Sequence, residues 1–428
     1  MIPGPAHGGL DAPRERVLKP LVGSVKTRVS RAVWLAVAVG IAARLVFALG
    51  YWVDKPLTHD EREYLLLARN VAEGRGFVHL QPDGAPVPGE HFGRAPVYPV
   101  LLAAVIRSTG VPPEAEGTLL RAIRIVQAAL GGALVWLVAW LAVTAAGPKA
   151  GAAAGWLAAV YPPLVWTPAY VWSETLFSVL ALGCAAVLSL ERRRRGVFVA
   201  AGALAGLAVL TRPAMLFFLP LAALWLAWKR EWLGVVLFTL ACVLAIMPWT
   251  IRNAHEYGRF VLVASEGGVT FWTGNHPLAT GEGDLAANPQ LKRANVALRA
   301  RHAGLTPEEL EPIYYREALG FIREQPVAWA GLMARKAFYA IVPVGPSYRL
   351  HSARYFGASV LSYLAVLPFA LLGLARLARA GRLPVPLLLL AASSFLVCLV
   401  FFPQERFRIP VVDPTLLVTA ASWWALRA

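Results

Sequence analysis

Apolar residues along this chain fall into long unbroken blocks, not into the narrow stripes of surface helices. The blocks occupy residues 33–50, 122–145, 150–168, 173–190, 196–210, 213–228, 232–248, 355–377, 384–402 and 410–426. Most approach the roughly 17–25 residues that a helix needs to cross the hydrocarbon core of a bilayer. The pattern predicts an all-α, polytopic membrane protein of about 10–12 transmembrane helices.

The polar stretches between the blocks orient it. Arg14, Arg16, Lys19, Lys26, Arg28 and Arg31 precede the first block, and a cytoplasmic excess of lysine and arginine sets the direction of insertion. Residues 1–32 are therefore expected to be a cytoplasmic tail, and residues 51–94 the first outer loop. Arg192 to Arg195, the pair Lys229 and Arg230, and the trio Arg376, Arg379 and Arg382 mark inner turns. That leaves 250–352 outside as a second large loop, between an amino-terminal membrane module (33–249) and carboxy-terminal membrane helices (353–428). The first outer loop carries Tyr64, Leu67, Ala68 and Val71 at helical spacing, which predicts a short surface helix over 60–72. One segment is ambiguous. Residues 96–106 are apolar but only about a dozen long, so they either lie flat or cross, with Arg107, Arg121 and Arg124 then marking an inner turn.

In the second outer loop, Gly267, Gly268, Gly274, Gly281 and Gly283 with Pro277 and Pro289 predict turns. A helix is expected from Pro307 to Glu324, opened by a capping-box-like Thr306-Pro-Glu-Glu. The apolar stretch from Pro326 to Ile341 contains Arg335 and Lys336. Burying both in a span would cost several kcal/mol, so an interfacial helix is expected.

Composition narrows the class. Of 428 residues, 57% are apolar and only 15% charged, which excludes a disordered or nucleic-acid-wrapping chain. The net charge of +16 reads as membrane topology and headgroup contact, and no nucleic-acid partner is implied. Cys184, Cys242 and Cys398 lie inside apolar blocks as small hydrophobes, without metal spacing. Trp52, Trp166, Tyr170, Trp172 and Trp249 stand where an interfacial aromatic belt belongs. The first apolar block follows some thirty polar residues and runs on as a membrane helix, so no cleaved leader is expected.

Candidate chemistry gathers at the outer face. Asp60 and Glu61, beside His59, open the predicted surface helix. They suit a proton acceptor or cation holder, and equally an N-terminal cap with Thr58; Glu63 is expected to be solvated. Glu174, after Ser173, is the only acid between Lys149 and Glu191, again as a cap or as a site carboxylate. Arg94, Arg212, Arg252, Arg406 and Arg408 stand at outward ends of apolar blocks. With Lys336 they are candidates to hold the phosphate of a lipid-linked substrate, headgroup contact being the plainer role. His59, His79, Glu90, His91, His255 and His276 are external, but none forms a known ligand spacing. Glu90, His91 and His276 are the candidates for a divalent metal ion, and His276 in Gly-Asn-His-Pro also suits a turn.

The stretch His59-Asp-Glu-Arg-Glu-Tyr-Leu-Leu-Leu-Ala-Arg-Asn-Val-Ala-Glu-Gly-Arg-Gly-Phe, followed by Gly93-Arg-Ala-Pro-Val-Tyr-Pro, resembles the first outer loop of the GT-C membrane glycosyltransferases. Within them it is most similar to the bacterial protein O-mannosyltransferase and lipid A aminoarabinose transferase group. Supporting segments are Tyr161-Pro-Pro, Ser173-Glu-Thr-Leu, Leu210-Thr-Arg-Pro, Pro248-Trp-Thr-Ile-Arg-Asn, Gly267-Gly, Gly274-Asn and Arg406-Phe-Arg-Ile-Pro. The resemblance implies a multi-pass protein of the bacterial plasma membrane. It would transfer sugar from a polyprenyl-phosphate donor to a lipid, glycan or protein acceptor at the periplasmic or exterior face. It places Asp60 at the family's acidic position in that loop as base or acceptor-orienting group, with Glu61 beside it and Glu174 at the second acidic position. Arg94 matches the basic residue that contacts donor phosphate. No organic cofactor is implied; a divalent ion is, in some relatives, through a glutamate just before the basic residue. Gly93 stands there instead, with Glu90 and His91 near. Other readings are a polyprenyl-lipid or sugar transporter, a lipid headgroup phosphotransferase, and a membrane scaffold. A transporter should show repeat-related halves, and none is evident.

Overall fold

The computed structural model describes residues 30–53, 55–81, 84–85, 94–112, 115–191, 194–283, 285–346 and 352–426. Helix α1 (Arg31–Val46) continues in π-helical turns over Phe47–Tyr51. The outer loop that follows carries α2 (His59–Ala72), and α3 (Val97–Thr109) comes next in the chain. Helices α4 (Glu116–Ala146) and α5 (Pro148–Val160) pack against one another and against α1. Pro162 and Pro163 end α5, because proline cannot donate to the helix and restricts the residue before it. A short α6 (Pro162–Trp166) and a 3₁₀ turn at Thr167–Ala169 then lead to α7 (Glu174–Leu188) and α8 (Arg195–Val209). A 3₁₀ turn at Pro213–Phe217 opens α9 (Phe218–Trp228), and α10 (Trp232–Tyr257) follows.

The second outer region holds α11 (Gly267–Gly274), α12 (Pro289–Arg301), α13 (Pro307–Glu324) and α14 (Pro326–Ile341). The chain ends in α15 (Ala353–Arg379), α16 (Val385–Val400), a one-turn α17 (Glu405–Arg408) and α18 (Val412–Ala425).

Among the described residues, four helical segments are long and apolar enough to cross a membrane: Arg31–Tyr51, Glu116–Ala146, Trp232–Tyr257 and Ala353–Arg379. Five shorter apolar segments, Val97–Thr109, Glu174–Leu188, Arg195–Val209, Pro213–Trp228 and Val385–Val400, accompany them. Together they are fewer than the ten to twelve spans expected. Burial ranks the long helices. α4 is the central one, 67% buried over its most apolar window, whereas α10 is only 22% buried. α10 turns Leu233, Val236, Leu240, Val243 and Met247 outward, as a helix facing lipid does.

Small residues let the helices approach closely. A Cβ on Gly202 of α8 would stand 2.2 Å from the Phe238 carbonyl oxygen of α10, and one on Gly206 would stand 2.9 Å from that of Cys242. Two buried cations then repair breaks in the helices. Arg44 of α1 donates to the carbonyls of Ala158 and Ala159 at the end of α5. It fits because Gly131 has no side chain; a Cβ there would lie 2.4 Å from the Arg44 stem. Arg124 and Gln127 of α4 donate to the carbonyls of Ala169, Pro168 and Tyr170, fixing the irregular stretch ahead of Ser173.

The ambiguous short segment is α3. Its Tyr98, Leu102 and Val105 pack with Tyr64, Leu65 and Ala68 of α2 and with Leu119, Leu120 and Ile123 at the start of α4. It is thus a partner of α2, and Arg124 is buried against the Ala169 carbonyl instead of marking an exposed inner turn. Two other expectations change. α10 continues through Pro248 to Tyr257, and the glycine-rich stretch expected to be turns contains α11, which packs on α13.

Candidate active site

The surface helix α2 is anchored before it offers any chemistry. Thr58 and Glu61 form a reciprocal capping box: the Glu61 carboxylate accepts from the Thr58 amide at 2.8 Å. Its other oxygen accepts from the Val171 amide at 2.9 Å. Both oxygens are spent, and Glu61 is buried. This corrects the catalytic reading of Glu61, which ties the outer loop to the segment before α7. The neighbouring Asp60, and Glu63 one turn further on the same side, are left to meet other elements.

They meet arginines from distant parts of the chain. Arg94 donates through Nη2 to Asp60 Oδ1 at 2.7 Å and through Nε to Glu63 Oε2 at 2.8 Å. Arg406 of α17 bridges two acids, Nη1 to Asp60 Oδ2 at 2.6 Å and Nε to Glu174 Oε1 at 2.8 Å. Arg212, in the turn between α8 and α9, lies 2.7 Å from the same Glu174 oxygen and 3.3 Å from Ser173 Oγ, which also accepts from Tyr64. Aromatic faces flank all three guanidiniums: Tyr64 under Arg94 at 5.1 Å, Trp172 under Arg406 at 4.9 Å and Phe407 by Arg212 at 5.5 Å. Asp60 and Arg406 are 346 residues apart in sequence.

This network borders a cavity of about 480 Å³. Arg94, Arg212, Arg406 and Glu266 line it, with Glu311, Ser393 and Ser394 as further polar groups and Met215, Leu216, Phe217, Leu390, Val397 and Phe401 as apolar ones. Asp60 and Glu174 do not line it, and the Glu174 side chain is 1% exposed. The acids stand behind the arginines, and the arginines face the cavity. Burial would raise the Asp60 carboxyl, but the Arg406 and Arg94 guanidiniums outweigh it and hold the group well below the usual carboxylate range. Glu266 goes the other way. Its side chain is 45% exposed, and partial desolvation raises it against the pull of Arg94, 3.6 Å away, with the charges of Glu63 and Asp60 adding to the rise.

Glu63 and Glu266 were not recognised in the sequence. Glu63 is buried against Arg94, with His79 Nε2 at 3.7 Å on its other side, and is not solvated. Its signal was its spacing, three residues after Asp60 on one helix face. Glu266 precedes Gly267 and Gly268, where added Cβ atoms would come within 2.6 Å of α13 at Tyr315 and Glu311. The glycines bring that turn against α13 beside the cavity.

Three phosphate candidates lie elsewhere. Arg252 donates to the Phe77 carbonyl and the Tyr257 hydroxyl and packs on Trp249, pinning the outer loop to α10. Lys336 is fully buried and donates to Asn275 Oδ1 and the Leu399 carbonyl at the end of α16, both at 3.0 Å. A cation there complements the negative end of that helix. Arg408 turns away from Arg406 to pair with buried Asp413 at 2.9 Å, over the Tyr363 ring.

Of the metal candidates only His276 is among the described residues. The Leu278 amide donates to His276 Nδ1 at 3.0 Å, and the ring packs on Trp272, so this histidine serves a turn. Glu90 and His91 lie outside the described residues. Glu174 Oε2 is buried without a hydrogen bond. Even so, no group of three or more His, Cys, Asp or Glu side chains able to hold an ion occurs among the described residues. The clustered carboxylates are turned to guanidiniums, and this donor set does not fit a divalent ion.

No family model matches the sequence, and no curated protein matches it. Solved structures do. An oligosaccharyltransferase from Archaeoglobus fulgidus, tethered to an acceptor peptide, superposes with a TM-score of 0.57 at 15% identity, over 92% of this chain and 49% of that one. The same archaeal enzyme, AglB, with an inhibitory peptide and a dolichol-phosphate, gives 0.56 at 15% identity, over 92% and 50%. The chain has the fold of these membrane proteins. This is the all-α, GT-C-like architecture that the first outer loop implied, in a chain spanning about half the length of those structures. ArnT from Cupriavidus metallidurans matches over 92% of this chain and 76% of its own at 17% identity, with a TM-score of 0.40, too loose to bear on the fold.

Proposed function

We propose that the protein is a membrane glycosyltransferase that takes sugar from a polyprenyl-phosphate donor and passes it to an acceptor at the outer face of a bacterial plasma membrane. The observation that carries this reading is the mixed lining of the cavity. Three guanidiniums, held by Asp60, Glu63 and Glu174, share it with apolar side chains such as Met215, Leu216, Phe217, Leu390, Val397 and Phe401. A phosphate on a long hydrocarbon tail matches both kinds of wall. The archaeal protein of the same fold that holds a dolichol-phosphate supports the choice of ligand. The acceptor is a lipid, glycan or protein hydroxyl.

The chemistry follows from the donor. The acceptor oxygen attacks the anomeric carbon, the bond from that carbon to the phosphate oxygen breaks, and its electron pair stays on phosphate. That leaving group is already an anion, so no general acid is needed, and arginines meet the growing charge. Arg212 is best placed, since among the described residues it pairs with Glu174 alone. Asp60 holds Arg94 and Arg406 in position but is a weak base while both bind it. Glu266 lines the cavity with a raised affinity for protons and takes the acceptor's proton. A covalent intermediate would need a second free carboxylate. Glu174 is buried and engaged by two arginines, so one displacement with inversion is the supported course.

The test is sugar transfer and polyprenyl-phosphate release by purified protein in nanodiscs, across a panel of donors, for wild type, Asp60→Asn and Arg212→Met. Turnover lost in both variants, with weaker donor binding in Arg212→Met, is expected. A wild type that binds no polyprenyl-phosphate sugar, or an Arg212→Met that binds and turns over donors equally well, overturns the reading.

A further inference from the structure

The acids of this site face arginines where a cation would otherwise sit. Asp60 Oδ2 and Glu174 Oε1, from two separate helices, are joined by one guanidinium, that of Arg406. We propose that Arg406 is a built-in cation that bridges the site's two central carboxylates in place of a divalent metal ion, and that donor phosphate is bound without one. As a statement about phosphate binding it rests on the glycosyltransferase reading; as a statement about metal it stands on the geometry.

Charge pairing supports it. Asp60, Glu63, Glu174 and Glu266 face Arg94, Arg212 and Arg406, each acid within ion-pair distance of at least one arginine. A divalent ion added between Asp60 and Glu174 would meet carboxylates already paired and guanidiniums that repel it, at a separation where charges still interact appreciably. Position supports it as well. Arg406 lies on the Trp172 ring and lines the cavity, so the N–H groups not spent on the acids remain for an anion. It is also held from behind. Two residues on, Arg408 is locked to Asp413, at 0% exposure, and this fixes α17 on the membrane helices. A guanidinium fixed in this way does not dissociate, which an exchangeable ion does.

The experiment uses Mn²⁺ alone as probe, on full-length protein in detergent after exhaustive chelation, read by electron paramagnetic resonance without donor or acceptor. Wild type is expected to show no saturable site up to millimolar Mn²⁺. Arg406→Gln removes one of three positive charges from between the acids and should gain a single site at least tenfold tighter. Adding Glu174→Gln should abolish that site, and Arg406→Lys, which keeps the charge, should gain none. A tight stoichiometric Mn²⁺ in wild type, whether held by Asp60 and Glu174 or by Glu90 and His91, overturns the proposal. So does a folded Arg406→Gln with unchanged Mn²⁺ affinity. If Arg406→Gln does not fold, the wild-type titration decides alone, and binding of polyprenyl phosphate unaffected by chelator confirms it. Failure of sugar transfer with these metal results intact would count against the glycosyltransferase reading only.

Discussion

Arg406 and Arg408 lie on the same turn of helix and meet opposite fates. Arg406 reaches two acids from α2 and α7 and still borders a cavity. Arg408 pairs with Asp413, packs on Tyr363 and approaches Ser359 within 3.4 Å, all inside the bundle. The residue type and the helix are shared; what differs is whether open space adjoins the guanidinium. A closed ion pair spends its charge on holding the fold together. An open one keeps donors for a ligand. Lys336 belongs with the closed kind, its ammonium consumed by Asn275 and helix-end carbonyls.

Breaking the closed cluster should have the largest effect on the fold. Asp413→Ala leaves Arg408 buried with Glu405, 3.7 Å away, in place of its nearest counter-charge, which costs up to about 3–5 kcal/mol. Thermal unfolding in detergent should show it, and a variant as stable as wild type would mean the pair is not shielded as its burial indicates. Breaking the open cluster should do the reverse. Arg212→Met should lower transfer by about 10²–10³-fold, the cost of removing one donor to developing charge, with thermal stability nearly unchanged. Unfolding at much lower temperature would place Arg212 with the structural arginines.

Glu266→Gln sharpens the open side. A general base contributes about 10²–10⁴-fold, and the loss should appear in turnover more than in donor affinity. Wild-type activity should rise with pH through a carboxyl pKa above the ordinary glutamate value, since partial desolvation raises Glu266 and the ionised form acts. That rise should vanish in the variant. A profile unchanged by Glu266→Gln would return the base role to Asp60.

Lys336 gives the smallest effect and a pH test of the closed kind. Burial lowers its ammonium to about 7, so above that pH the folded chain binds fewer protons than the unfolded one, in which lysine titrates near 10.4. Stability from this group should therefore rise with pH from about 7 toward 10 and level off below 7, where both states are protonated. Lys336→Met, which removes the titration and about 1–3 kcal/mol of hydrogen bonding, should flatten that trend. A slope equal to wild type would show that Asn275 and the carbonyls hold the charged form unpenalised.

Much of the fold was legible because its signals are local. Unbroken apolar blocks marked α4, α7, α8, α15 and α16 within a few residues. The Thr306 capping box marked the start of α13, and proline and glycine marked most ends. α3 could not be placed because a dozen apolar residues serve a short crossing and a surface packing partner equally well. α11 escaped because the glycines read as turns there are wanted for close packing, Gly274 lying where a Cβ would strike the Phe401 carbonyl at 1.8 Å.

For the site, the sequence alone determined the ingredients: acids at 60 and 174, arginines at 94, 212 and 406, all near the ends of apolar blocks. Tertiary structure decided which of them meet. Ion pairing depends on distances of a few ångströms between segments up to 346 residues apart, and no periodicity encodes those distances. Hence Arg252, Lys336 and Arg408, alike in sequence to the cavity arginines, became struts. Glu61 became a cap, and Glu63 and Glu266 entered the site. The order of the layers was likewise invisible in the chain: acids behind, guanidiniums in front.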